Sequence, residues 1–287
     1  MIKEFNHVMD YIEEHLLDNR QLEKISEYAG VSDYHFRTVF FHLTGITLSE
    51  YIKYRRLSQA NSDLLNGEKV TDVAYKYGYQ SLDGFARAFK KWCGFLPSDA
   101  VKKQISKTFP KFSFIITVKG GNSMECKIIE KPAFYLAGVT ARVPMQFEGV
   151  NNAIMELAMR ITQEQRDEMH ALQNLEPYQV VNASYNADAG FVKEEGELTH
   201  LIGVLTTDER ESELLEKVKV QAGTWAVFSN EGPFPATLQN TMAQIYAQWL
   251  PVADYELVDA PGFSFTKMDE TKEDYAYSEV WTPVRRK

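Results

Sequence analysis

The sequence predicts an all-α amino-terminal domain built on a duplicated helix-turn-helix, followed by an α+β domain. Three observations carry this. Ser32, Phe36, Phe40 and Gly45 recur 49 residues later as Ser81, Phe85, Phe89 and Gly94, and Ala74 and Pro97 stand at the same offset from Ile25 and Leu48. Beyond residue 106 the helical patterns give way to short runs rich in β-formers. Between the two textures lies Gly120-Gly121-Asn122-Ser123, the clearest break in the chain. These divide the chain into a helical domain (1–105), a linker (106–123) and a second domain (124–287).

Residues 2–18 put Ile2, Phe5, Val8, Met9, Ile12 and Leu16 on one stripe of a helix. Helices over about 21–29 and 32–43 make the first repeat, the second opening at Ser32, a residue type that accepts hydrogen bonds from the orphan N–H groups of a first turn. A longer helix over 47–65 follows and stops at Asn66-Gly67. The second repeat reads as helices over 70–77 and 81–92, then one over 97–104. In both copies Phe at i and i+4 pins one helix face. Past the linker, strands are expected at 112–118, 126–130, 134–143, 178–185, 199–207, 223–230 and 278–284, with helices at 148–168 and 234–249. These strands are read as mainly antiparallel.

A chain of 287 residues with 44% hydrophobic and 25% charged residues has material for two soluble cores. MIKEFNHVMDYIEEHLLDN is charged throughout, unlike a signal peptide, and no stretch reads as a membrane span, so a cytoplasmic protein is expected. Cys93 and Cys126 lack CxxC or Cys/His spacing and read as free thiols, with no metal expected. No P-loop, dinucleotide fingerprint, GxSxG or HExxH occurs, so neither a cofactor nor a familiar catalytic centre is expected. The net charge of −9 hides an asymmetry: residues 1–120 hold 17 Lys and Arg against 14 Asp and Glu, or +3, and the remainder carries −12. That division is the one expected when one half meets a polyanion.

The second helix of a helix-turn-helix reads a DNA major groove with its amino-terminal half. In the first repeat Asp33, Tyr34, Arg37 and Thr38 project from that half, away from Phe36, Val39 and Phe40. In the second, Leu82, Asp83, Ala86 and Arg87 hold the matching surface. Arg87, and next Arg37, suit a bidentate contact to guanine. Lys90, Lys91, Arg55 and Arg56 are expected on phosphates. A surface arginine taken alone is more often merely solvated; the duplicated frame raises the DNA reading.

GVSDYHFRTVFFHLTGITLSEYIKYRRLSQANSDLL and VTDVAYKYGYQSLDGFARAFKKWCGFLPSDA resemble the tandem helix-turn-helix of AraC/XylS transcriptional regulators over about residues 5–104. The resemblance is densest at Gly78, Tyr79, Ser81, Phe85, Arg87 to Lys91, Gly94 and Pro97. It implies two recognition helices in adjacent major grooves, joined by the helix at 47–65, and more commonly activation than repression. One departure is Ala100-Val101, where the family usually carries an aromatic-Arg pair.

In the carboxy-terminal strand YSEVWTP, alternation places Tyr277, Glu279 and Trp281 on one face. A carboxylate between aromatics is either solvated or set in an aromatic pocket, where it attracts an organic cation. Trp225 is a further wall, with Val227 and Ser229 on its side; Tyr135, Phe147 and Tyr178 are weaker candidates. GTWAVFSNEGPF, QIYAQWLPVADYEL, DAPGFSF and YSEVWTPV resemble the GyrI-like effector-binding domain over about 124–284. That implies two pseudo-symmetric β-α-β-β modules, and a pocket for small, apolar or cationic molecules. Some relatives of that fold are hydrolytic, so two alternatives stay open: a hydrolase of small organic substrates using a Glu base and a Tyr, or an acidic protein-interaction module. The expected partners are double-stranded DNA, a small effector and RNA polymerase, with no membrane. One chain carries two reading helices, so either a monomer or a homodimer serves.

Overall fold

The structure, a computed structural model, describes the chain apart from residues 1, 23, 30–32, 115–123, 147–150 and 189–195, and gives side chains for the remainder except 2–4, 26 and 33–35. By contact the residues gather into two units. One is built mainly on Met1–Gly30 and Thr44–Ile116, the other on Val31–Leu43, Thr117–Gly190 and Glu194–Lys287.

The first unit is helical: α1 (Ile2–Glu14), α2 (Asn19–Leu22), α3 (Ile25–Ala29), α5 (Leu48–Leu65), α6 (Val70–Lys76), α7 (Leu82–Cys93) and α8 (Pro97–Lys102), with α4 (Asp33–Thr44) lying between α3 and α5 in sequence. Helix α5 opens with a capping box in which Thr47 accepts from the Glu50 amide and Glu50 reaches back to the Thr47 amide. Its buried side includes Leu48, Tyr51, Ile52, Leu57 and Leu64. In α7 the Ser81 hydroxyl accepts from the Gly84 amide at 3.1 Å. Phe85, Phe89 and Trp92 enter a core with Leu57, Leu64, Val73 and Tyr77, each large side chain contributing about 1.5–3 kcal/mol of burial. The two glycines of the repeat act alike: Gly45 and Gly94, at φ of 71° and 94°, take the left-handed conformation where their helices stop.

Residues expected to begin a strand at 112 do something else. The segment from Ile105 to Phe114 is threaded along the helices as a strap. The Asn61 side chain donates to the Ile105 carbonyl and accepts from the Lys107 amide, Ser58 accepts from the Phe109 amide, and Asn6 both donates to and accepts from the Phe114 backbone. Phe112 packs on Tyr51 and Phe114 edge-on to Phe5. The apolar alternation of 112–114 thus serves a helical core, and 115–118 lie outside the described residues.

The described strands of the second unit form one nine-stranded sheet. In chain order they are β1 (Lys127–Lys131), β2 (Phe134–Pro144), β3 (Val181–Tyr185), β4 (Glu197–Thr206), β5 (Glu216–Val220), β6 (Gly223–Pro233), β7 (Tyr255–Leu257), β8 (Phe263–Met268) and β9 (Tyr275–Arg286). The spatial order is β1-β6-β9-β8-β3-β4-β2-β5, with β7 on β9, all antiparallel. Two β-α-β-β modules are visible in it. The first is β2, helices α9 (Asn152–Arg160) and α10 (Gln163–Leu172), β3 and β4; the second is β6, helix α11 (Ala236–Gln244) with a π-helical turn at Ile245–Trp249, β8 and β9. The order β6-β9-β8 meets β3-β4-β2 at a short β3–β8 pairing, the place of the pseudo-twofold. The leading strands are exchanged: β1 pairs with β6, and β5 with β2.

One helix expected over 148–168 is two, because Thr162 starts a second capping box with Gln165. Strands β5, β7 and β8 go beyond those that the sequence pattern marks. β5 reads EKVKV at the sheet edge, where lysines are ordinary. Gly138 and Gly203 face each other across β2 and β4; a Cβ on Gly138 would run into the Ile202 carbonyl oxygen. Helices α9 and α10 cover one face through Leu157, Ile161, Met169, Ile202 and Val204, and α11 covers the same face farther along through Ile245, Ala226, Phe228 and Val280. The opposite face holds Phe134, Leu136, Trp225, Val227, Phe263, Phe265 and Trp281.

Candidate DNA-reading surface and effector site

The seam of Phe85, Phe89 and Trp92 fixes which side of α7 is free. Leu82, Asp83, Arg87, Lys90 and Lys91 are exposed, so the helix presents an arginine one turn inside its amino-terminal half and two ammonium groups in its last turns. These are the positions from which the sequence leads one to expect base readout and phosphate contacts.

The matching helix of the first repeat is placed differently. Arg37 is 6% and Thr38 9% exposed, and the stretch Val31–Leu43 groups with the second unit. Within that unit the His42 ring stacks on Tyr246 at 5.7 Å. Tyr34 lies in α4, and its side chain is outside the described residues. Arg37 and Thr38, expected to project outward, are therefore covered in this structure.

Arg55 and Arg56, expected on phosphates, have internal partners. Arg55 donates to both Glu13 carboxylate oxygens, at 2.8 and 2.7 Å, and to the Phe109 carbonyl of the strap. The bond to Glu13 raises its pKa further. Arg56 is buried, donating to the Leu16 carbonyl and to Asn19, both at 2.7 Å. A guanidinium matched to a carboxylate in the fold is withdrawn from the phosphate set. Glu13 and Arg55 stand 42 residues apart, and no local pattern in the chain signals that they meet.

In the second unit Tyr277, Glu279 and Trp281 share one face, as alternation requires. The Tyr277 hydroxyl donates to one Glu279 oxygen at 2.6 Å and the Trp281 indole N–H to the other at 2.9 Å. Burial, then the neighbouring carboxylate, pushes the Tyr277 phenol up to about 12. Trp225, Val227 and Ser229 lie opposite Pro283, Trp281 and Glu279 in register. Phe263 stacks on Trp281 at 5.4 Å and tilts on Trp225 at 5.1 Å, so the indoles are linked through one phenyl ring. Trp225 is deeply buried, whereas Tyr277 is 37% exposed. The carboxylate sits at the open end of an aromatic row.

Tyr135 is not brought to this row. Its neighbours Phe134 and Leu136 face the Trp225 core, so it alternates to the other side of β2, where Lys217 and Lys219 lie over its ring at 5.9 and 5.7 Å. Tyr178 is exposed in the loop before β3, and Phe147 lies outside the described residues. One residue escapes sequence reasoning. Lys131, buried in β1, holds its ammonium 4.7 Å over the Trp281 ring and donates to the Glu176 carbonyl, and burial lowers its pKa. Its signal is faint: a lysine on the inward side of KIIEK, visible only once β1 is paired with β6.

Cys93 and Cys126 are free cysteines, and no cluster of three or more His, Cys, Asp or Glu that could hold a metal occurs among the described residues. No described helix is long and apolar enough to cross a membrane.

A helix-turn-helix helix with an exposed basic stripe, in one chain with a curled two-module sheet, is an architecture that fits a transcription regulator with a small-molecule domain. Residues 124–285 match the GyrI-like small molecule binding domain and residues 25–103 a helix-turn-helix domain; the chain belongs to the GyrI-like family and carries an AraC-type DNA-binding domain in front of it. It is 34% identical over 92 residues to the HTH-type transcriptional activator AarP of Providencia stuartii, covering 32% of this chain and 68% of AarP. It is 36% identical over 86 residues to an uncharacterized HTH-type transcriptional regulator of Staphylococcus aureus strain Mu50, covering 30% of this chain but only 12% of that regulator. Among solved structures, SAV2435 bound to tetraphenylphosphonium is similar at 17% identity and a TM-score of 0.43, covering 56% of this chain and 94% of that one.

Proposed function

We propose that this regulator is an activator whose second domain senses a small apolar or cationic molecule at the Tyr277-Glu279-Trp281 row, and that α7 supplies its standing contact with DNA. The observation that carries the sensing half is the treatment of charge at Trp281. Its N–H orients the Glu279 carboxylate at 2.9 Å, and its ring face already holds an ammonium, that of Lys131. A carboxylate beside an aromatic face is the minimum equipment for an organic cation. An incoming cation competes with Lys131 for the ring and gains Glu279.

Arg87 is assigned to base reading and Lys90 and Lys91 to phosphates, with Arg37, Thr38 and Tyr34 reading only when α4 is uncovered. Ligand control of that uncovering requires different ligand affinity for the covered and uncovered states. Activation follows the relative AarP and implies contact with RNA polymerase. The reading is compatible with a cytoplasmic monomer, since each chain has two repeats.

The experiment is a thermal-shift titration of the full chain with tetraphenylphosphonium, run on wild type and on Glu279→Gln. A saturable rise in Tm that is lost in the variant supports the site, because a ligand of the native state must raise its stability. A rise of equal size in both proteins removes Glu279 from the reading.

A further inference from the structure

The helix-bearing face of the sheet, opposite Glu279, contains a cavity of about 180 Å³ at the seam of the two modules. Asn182 and Ser184 of β3 alternate away from Val181 and Ala183, which belong to the Trp281 core, and so point to this side. His200 of β4 lies opposite Ser184 in register. The wall that faces these polar groups includes Met242, Ile245 and Tyr246 of α11 and its π-helical turn.

The polar groups form a chain. Ser184 Oγ is 2.9 Å from His200 Nδ1, and His200 Nε2 is 3.1 Å from Asn182 Oδ1. An amide oxygen can only accept, so Nε2 carries the ring proton, Nδ1 accepts, and the Ser184 hydroxyl donates. This leaves the Asn182 amide N–H groups as donors and the Ser184 oxygen as an acceptor. Burial lowers the His200 pKa to about 4, so the ring is neutral at physiological pH. Among the described residues lining the cavity none is Asp, Glu, Lys or Arg.

We propose that this cavity is a second ligand site for a neutral aromatic carboxamide, one that shares the Trp281 and Phe263 positions with the Glu279 row but not its carboxylate. An apolar cavity of about 150 Å³ accepts benzene, so the volume fits one six-membered ring with a small substituent. The carboxamide oxygen takes the Asn182 N–H, its N–H meets the Ser184 oxygen, and the ring lies against Ile245 and Met242. A carboxylate or ammonium in the same place would be buried without a counter-charge, which is strongly unfavourable. Thr38 of α4 also lines the cavity, so an occupant rests against the helix that carries Arg37.

The test uses benzamide, with benzoate as the charged counterpart, on the full chain with methyl-labelled methionine. The expected result is saturable movement of the Met242 methyl resonance with benzamide and none with benzoate. Affinity for benzamide should be unchanged in Glu279→Gln and fall about tenfold in Ser184→Ala, the usual cost of leaving a buried polar partner unmatched. His200→Leu should weaken it as well. Absence of a saturable Met242 response, an equal response to benzoate, no loss in Ser184→Ala, or loss in Glu279→Gln would each overturn the site. Because only the last of these involves Glu279, failure here and failure of the sensing row are told apart.

Discussion

Lys131 holds its ammonium 4.7 Å from the centroid of the Trp281 ring, so the largest aromatic face beside Glu279 is already in use by a cation of the chain itself. A cation–π contact that is partly desolvated contributes about 1–2 kcal/mol. An external cation must match that contribution before it gains anything at the ring.

Replacing the ammonium tests this competition. Lys131→Met keeps the stem and removes the charge, so tetraphenylphosphonium affinity should rise by about fivefold to tenfold, equivalent to about 1 kcal/mol. Calorimetric titration reads it. Unchanged or weaker binding would show that the ligand does not use the Trp281 face.

The bond from Tyr277 to Glu279 predicts a pH signature. The phenol stands at about 12, raised first by burial and then by the carboxylate. In Glu279→Gln the second cause disappears and the first stays, so the phenol should titrate lower than in wild type but still above the ordinary value near 10. Difference absorbance of phenolate in the two proteins, with Tyr277→Phe to identify the band, measures it.

On the DNA side, the exposed stripe of α7 predicts two kinds of loss. Arg87→Ala should cost about 1–3 kcal/mol at a specific site and relax preference at one base pair. Lys91→Ala should weaken specific and random duplexes alike and reduce the salt slope by about one. Arg56→Ala, by contrast, should lower stability, because it leaves the buried Leu16 carbonyl and Asn19 without their donor. Parallel fluorescence anisotropy at several salt concentrations separates the first two.

His200 ties stability to acid. Its pKa is about 4 in the folded chain and near 6.5 unfolded. Above 6.5 neither state holds the proton, and between 6.5 and 4 the unfolded state binds more, so stability falls as pH drops through that window. The full loss is about 3 kcal/mol at 1.36 kcal/mol per unit. Urea denaturation at pH 7 and pH 4 should show a smaller loss in His200→Gln than in wild type.

The helical half is legible in the sequence because its signals are local: Ser81 at a cap, Gly45 and Gly94 at left-handed stops, and phenylalanines four apart all act within one turn or two. The pairing of Tyr277, Glu279 and Trp281 is legible for the same reason, as strand alternation has a period of two. What escapes a reading of the chain is non-local. Glu13 claims Arg55, the strap at 105–114 claims apolar residues that resemble a strand, and Lys131 reaches Trp281 only through the exchange of β1 into the other module. Tyr135 falls on the wrong side because a strand shows which residues share a face without showing which face meets the pocket. The covering of Arg37 and Thr38 has no local signal either, since an outward position on an isolated helix is decided by whatever packs there.

The most direct test of ligand-responsive DNA reading is the affinity of the full chain for a duplex selected from a random pool, measured with and without saturating tetraphenylphosphonium in wild type and Glu279→Gln. The cation should shift the wild-type affinity by several-fold and leave that of Glu279→Gln unchanged, as a coupling of about 1–3 kcal/mol between two sites requires. A wild-type affinity that stays constant while the cation is shown to be bound would contradict it.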